Sequence, residues 1–186
     1  MPRVASIGFR TKTGKAVAIA LNTAPEFIGR WNVDLYDPKL PPEGPHHEVL
    51  ELPWPEALDA VRKYEAVIEN VAAKQLREIL DELQSRAIRV RAIGVVGSPD
   101  RNLEKIGNRH IRAHAAEGAL FRHAVEVGAS RCGLDCRVFS DRQLPSAPDE
   151  ALASIGRAAG RPWRADERAA AAAAWVVLAS WKKDYL

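Results

Sequence analysis

Within the stretch "HIRAHAAEGALFRH", His110, His114 and Glu117 stand at i, i+4 and i+7, a spacing that puts all three on one helical face. Two histidines four residues apart plus a carboxylate make a donor set of the kind that takes zinc, manganese or iron. Glu117 would then be both a metal ligand and a candidate catalytic carboxylate. The spacing indicates no fourth ligand, so the same residues serve equally as solvent-facing or hydrogen-bonded groups of an amphipathic helix. Asp100, Glu104 and the "HHE" at His46 to Glu48 become partners only if the fold brings them near, and His123 falls off this face.

Cations supply the second kind of chemistry. The turn "RTKTGK", Arg10 to Lys15, combines hydroxyls, cations and a glycine, a mixture suited to an anion, with Arg10 and Lys12 as the nucleic-acid-binding candidates. It lacks the G-x-x-x-x-G-K spacing of a nucleotide-binding loop and reads equally as a solvated hairpin turn. "GSPDRNLEKIGNRHIR" places Arg101, Lys105, Arg109 and Arg112 around the start of a helix, a second candidate phosphate-contacting surface. Net charge is only +3, but Glu43 to Glu82 holds ten acidic against four basic residues, whereas Arg86 to Arg142 holds eleven basic against six acidic. A basic half attracts phosphate backbones. Cys132 and Cys136, the two cysteines, fit no zinc-binding pair and read as reduced thiols near a turn.

The elements that must position these groups follow from periodicity. Val4–Phe9 and Lys15–Leu21 read as strands joined by the "RTKTG" turn, and "EFIGRWNVDLY" as a third. The proline-rich "DPKLPPEGP" blocks regular structure, and "HHEVLEL" reads as a short strand or an extended arm. A long helix is predicted from Glu56 to Ser85, with Pro55 in its first turn, where the missing N–H costs nothing. "AIRVRAIGVVG" reads as a strand, Asn108 to Val127 as a helix closed by Gly128, and "CRVFS" as a strand. A short helix lies in "DEALASIGRAAG", and a final one runs from near Arg164 to about Lys182, with Asp166 and Glu167 in its first turn.

Three strands joined by hairpins, then two strands alternating with helices, imply a single α/β domain, residues 1–186, with a mixed sheet flanked by helices. This order, together with "SIGFRTKTGKAVAIAL", "RAIGVVGSPDRNLEKIGNRHIRAHAAEGALFRHAVEVGA" and "WRADERAAAAAAWVVLA", resembles the ribonuclease H-like superfamily. Within it the chain is most similar to RuvC-type Holliday-junction resolvases. The resemblance implies that the fourth strand lies between the first and fifth. It also implies a site where carboxylates from the first strand, fourth strand and last helix hold two divalent ions, which a phosphodiester displacement needs at both its oxygens. Here the first of those positions falls at Phe9 or Arg10 and the second within Gly94 to Val96. Asp166 or Glu167 matches the first acid of the last helix, and Ala169 or Ala170 stands at the next. One surviving carboxylate cannot hold two magnesium ions.

The expectation is therefore a protein that binds structured DNA or RNA through a degenerate, RuvC-like ribonuclease H fold. A metal-dependent nuclease or phosphoester hydrolase with a relocated His/Glu site comes second, using Asp166, Glu167 and Glu117 and taking magnesium or manganese ahead of zinc. A protein-interaction domain, binding a partner or a second copy through the acidic region, comes third. "AAAAAAWVVLASW" is too short and alanine-rich for a membrane span, and "MPRVASIG" has no signal-like apolar run, so a cytoplasmic protein is expected.

Overall fold

The computed structural model describes residues 3–185, with side chains to Trp181. Strands β1 (Arg3–Lys12), β2 (Lys15–Asn22) and β3 (Phe27–Asp34) form an antiparallel meander, and β4 (Ile88–Gly97) and β5 (Asp135–Ser140) add in parallel beyond β1. The sheet order is β3-β2-β1-β4-β5, so β4 lies between β1 and β5 as the resemblance implied. Helices α2 (Trp54–Ser85) and α3 (Arg109–Arg131) cover one face; α4 (Asp149–Ala159) and α5 (Ala165–Tyr185) cover the other.

Alternation along β1 divides its work between the two layers. Ala5, Ile7 and Phe9 enter the core beneath α2 and α3 together with Ile93 and Val95 of β4. Ser6, Gly8 and Arg10 point the other way, toward α5. The Ser6 hydroxyl donates to the Ala174 carbonyl at 2.8 Å. A Cβ on Gly8 would stand 1.8 Å from the Ala170 carbonyl oxygen, so α5 lies backbone-close on β1. That approach explains the alanine run: Ala170, Ala171, Ala173 and Ala174 are fully buried, and larger side chains would lift the helix off the sheet.

Two sequence expectations change. "HHEVLEL" forms no strand; Pro45–Glu48 is a single helical turn, α1, started by Pro45, and it packs on α2 and α3. Gly128 does not close α3, which runs on to Arg131. Instead Gly128 lies against the backbone of Ala72 and Ala73, so α2 and α3 pack closely there. Cys132 and Cys136 are free thiols, as expected. Met1 and Pro2 of the N-terminal stretch lie outside the described residues.

Candidate nucleic-acid interface and histidine cluster

The β1–β2 hairpin carries its cations past the edge of α5. Arg10 leaves β1 on the α5 side, and its guanidinium reaches Asp141, just after β5, at 3.1 Å and Asp166 at 3.7 Å. Lys12 follows two residues later on the same face and places Nζ 2.6 Å from the other Asp166 oxygen. Asp166 therefore sits between two protein cations. Its neighbour Glu167, predicted beside it as a catalytic acid, is buried and accepts the Arg164 backbone N–H at 2.8 Å. A glutamate at the third helical position reaching back to the N-cap amide is one half of a capping box, so Glu167 starts α5.

Two clefts open on this hairpin. One, of about 580 Å³, runs between Arg10, Lys12, Lys15 and Arg164 on its cationic side and Asp34, Asp166 and Glu167. The other, of about 460 Å³, is lined by Arg10, Lys12 and Lys15 with one carboxylate, Asp141. Thr13, Ser98 and His114 complete its polar wall. Three cations and several hydroxyls in one groove are the donor set that phosphate oxygens require.

The loop after β4 is held by Arg122, nearly buried, which donates to the Ser98 carbonyl at 3.0 Å and to Asp100 at 2.6 Å. Of the cations predicted there, Arg101 and Lys105 are exposed. Arg109 pairs with Glu51 at 2.8 Å, and the Arg112 guanidinium lies 5.1 Å from the centre of the Trp54 ring. The last two therefore tie α3 to the start of α2. Asn108, whose side chain accepts from the Ile111 amide, caps α3 and so sets where its histidine face begins.

On that face His110 and His114 meet with their Nε2 atoms 3.0 Å apart. The third member of the group is not Glu117. His47, from the α1 turn, joins them, its ring centre 4.5 Å from that of His114 and 5.3 Å from that of His110. One ligand-capable nitrogen from each of the three lies within 4.8 Å of the others. Among the described residues no other three histidines, cysteines or carboxylates converge in this way.

Glu117 stands behind the cluster and is wholly buried. It accepts the His46 backbone N–H at 2.7 Å, and its Oε1 is 3.5 Å from His47 Nδ1. Gly44 makes this possible: its φ of +106° is a glycine conformation, and a Cβ there would stand 2.4 Å from the carboxylate. Burial pushes the Glu117 carboxyl up to about 7, against the opposing pull of the His46 and His47 amides. Burial, then the neighbouring His47, brings His46 down to about 4. His47 and His114 are lowered in the same way, by burial first and then by the other histidines. Burial and the neighbouring histidines thus favour neutral imidazoles at His47 and His114, the form that ligates metals.

The comparisons with solved structures match this arrangement of sheet and helices. Thermus thermophilus RuvC in complex with a Holliday junction substrate aligns with a TM-score of 0.59 over 98% of this chain and 96% of that one, at 12% identity. A second T. thermophilus RuvC structure aligns with a TM-score of 0.50 over 91% and 90%, again at 12% identity. The fold is RuvC-like. No family model and no curated protein matches the sequence.

Laid along this RuvC-like fold, the sequence-predicted residues separate into distinct groups. Arg10, Lys12, Asp166 and Glu167 converge at the end of β1 and the start of α5. His110 and His114 lie on α3, where His114 lines the second cleft. His47, one of the "HHE" residues that could join only if the fold brought them near, does join: 63 positions separate it from His110, and the α1 turn brings them together. The one signal was the paired histidines in "HHEVLEL".

Proposed function

We propose that this protein binds structured nucleic acid through its RuvC-like fold, using the Arg10–Lys12–Lys15 groove, without the two-ion centre of the resolvases. The observation that carries this reading is the ion pairing of Asp166. Where that centre would need converging carboxylates, this chain offers Arg10, Gly94, Asp166 and Ala169, and the single acid is already matched by Arg10 and Lys12. This donor set does not fit two magnesium ions, which require several oxygens. Cations on a hairpin instead suit phosphodiester oxygens, and the T. thermophilus relative is described with a Holliday junction.

The test is an incubation of labelled four-way junction, duplex DNA and RNA–DNA hybrid with the protein, with and without magnesium. A retarded complex with intact strands is expected both ways, strongest on the four-way junction. Magnesium-dependent cleavage that disappears in Asp166→Ala would overturn the reading.

One observation favours a second reading, a metal-dependent phosphoester hydrolase: three histidines converge, and one of them, His114, lines the same cationic cleft. Strand cleavage that needs added zinc or manganese and is lost in His114→Asn would put this reading in place of binding alone.

A further inference from the structure

We propose that His47, His110 and His114 bind one divalent transition-metal ion of the zinc or cobalt class, with Glu117 as the positioning carboxylate behind His47.

Three observations carry this. The first is convergence: histidines from two separate elements, α1 and α3, bring one nitrogen each to within 4.8 Å of one another. Ligand nitrogens about 2.1 Å from a tetrahedral ion lie roughly 3.3 Å apart. The 3.0 Å between His110 Nε2 and His114 Nε2 is close to that spacing.

The second is unmet hydrogen bonding. Both ring nitrogens of His47 and the Oε2 atom of Glu117 are buried with no hydrogen-bond partner. A buried polar atom without a partner is costly and calls for an occupant or a rearrangement. An ion on His47 Nε2 gives that nitrogen a partner. It also makes the Nδ1 proton a stronger donor toward Glu117 Oε1, already 3.5 Å away.

The third is the carboxylate itself. A metal-bound histidine characteristically gives its other N–H to a carboxylate, which fixes the ring and its tautomer. Glu117 is wholly buried, and the backbone amides of His46 and His47 that it faces would be served equally by a neutral carbonyl. An added positive charge one imidazole away gives the ionised carboxylate a reason to be inside.

The donor set selects the ion. Three imidazoles and no carboxylate in direct contact suit zinc, cobalt, nickel or copper, whereas magnesium prefers oxygens. Three protein nitrogens leave a tetrahedral ion one position for water or an anion. His114 lines the 460 Å³ cleft with Arg10, Lys12 and Lys15, so an anion entering that cleft meets the ion's surroundings and the hairpin cations together.

Metal alone is the probe, so the outcome is separate from nucleic-acid binding. The protein is stripped with chelator, then titrated with zinc by calorimetry and with cobalt by visible absorption. One equivalent is expected to bind, with the intense cobalt bands of a four-coordinate site. His110→Ala/His114→Ala, at exposed positions, is expected to lose the bands and at least about a hundredfold in affinity, with its urea midpoint retained. Glu117→Gln keeps an acceptor for the His46 amide but removes the charge; it is expected to keep one-to-one binding, weakened about 10- to 100-fold. His123→Ala is expected to bind like the parent. Absence of stoichiometric binding, or a double-histidine variant that binds as tightly as the parent, would overturn the proposal.

Discussion

Lys12 Nζ lies 2.6 Å from Asp166 Oδ2, joining the β1–β2 hairpin to the first turn of α5 across 154 positions of sequence. With Arg10 on the other oxygen, this carboxylate in the first turn of the last helix is held by the protein's own cations. If the hairpin binds phosphates, Asp166 competes with them for those cations. Asp166→Ala is therefore expected to tighten binding of a four-way junction about three- to tenfold at low salt, an effect that fades as salt screens it. The change in folding stability should stay within about 1 kcal/mol, since Lys12 is half exposed. Anisotropy titrations of parent and variant measure this, and weaker binding in the variant would count against the assignment.

Gly8 reports on the sheet–helix contact that sets the hairpin beside α5. A methyl group there meets the Ala170 carbonyl at 1.8 Å and the Ala174 amide at 2.5 Å, both backbone atoms of one helix. Gly8→Ala is expected to lower stability by about 3 kcal/mol or more in urea unfolding, because neither neighbour is a flexible side chain. Gly107→Ala, with nothing within 4 Å of its added methyl, serves as the control and should change little.

Cys136 should be a poor nucleophile in the folded protein. Burial, helped by Glu126, pushes the Cys136 thiol up to about 12. Its thiolate fraction at pH 8 is therefore far below that of an unfolded cysteine, and iodoacetamide should modify Cys136 at least about tenfold more slowly in the folded protein than in urea. A thiol raised on folding favours the folded state below the unfolded value near 9 and loses that contribution as the pH climbs toward 12. The urea midpoint should accordingly fall between pH 9 and 11 less steeply in Cys136→Ala. Equal alkylation rates in folded and unfolded protein would refute the environment described.

Much of this architecture was legible from spacing. The "RTKTG" turn between two apolar runs marked the first hairpin, the β-branched run before Gly97 marked a strand, and the helical repeat from Leu58 to Leu83 marked α2. What escaped depends on contacts between distant segments. Gly128 looks like a helix terminator until α2 is placed against it. "HHEVLEL" reads as a short strand or an extended arm, but Pro45 and the amides offered to Glu117 hold its start as a helical turn. The same local reading put Glu117 with His110 and His114 on a single face. The i+7 position does lie under i and i+4, yet the side chain turns inward to α1, and His47 takes the outward place. The capping role of Glu167 was hidden for a related reason: acidic residues in a first turn look alike until the Arg164 amide shows which one caps the helix.

The groove is tested most directly by the salt dependence of junction binding. Affinity of the parent and of Lys12→Ala/Lys15→Ala for a labelled four-way junction would be measured from about 50 to 200 mM salt, where each phosphate contact contributes about −0.9 to the logarithmic slope. The parent should bind with a steep slope, and the double variant should bind more weakly with a slope smaller in magnitude by about 2. A parent that ignores the junction at low salt, or a variant whose slope matches the parent's, would contradict the placing of nucleic acid on this hairpin.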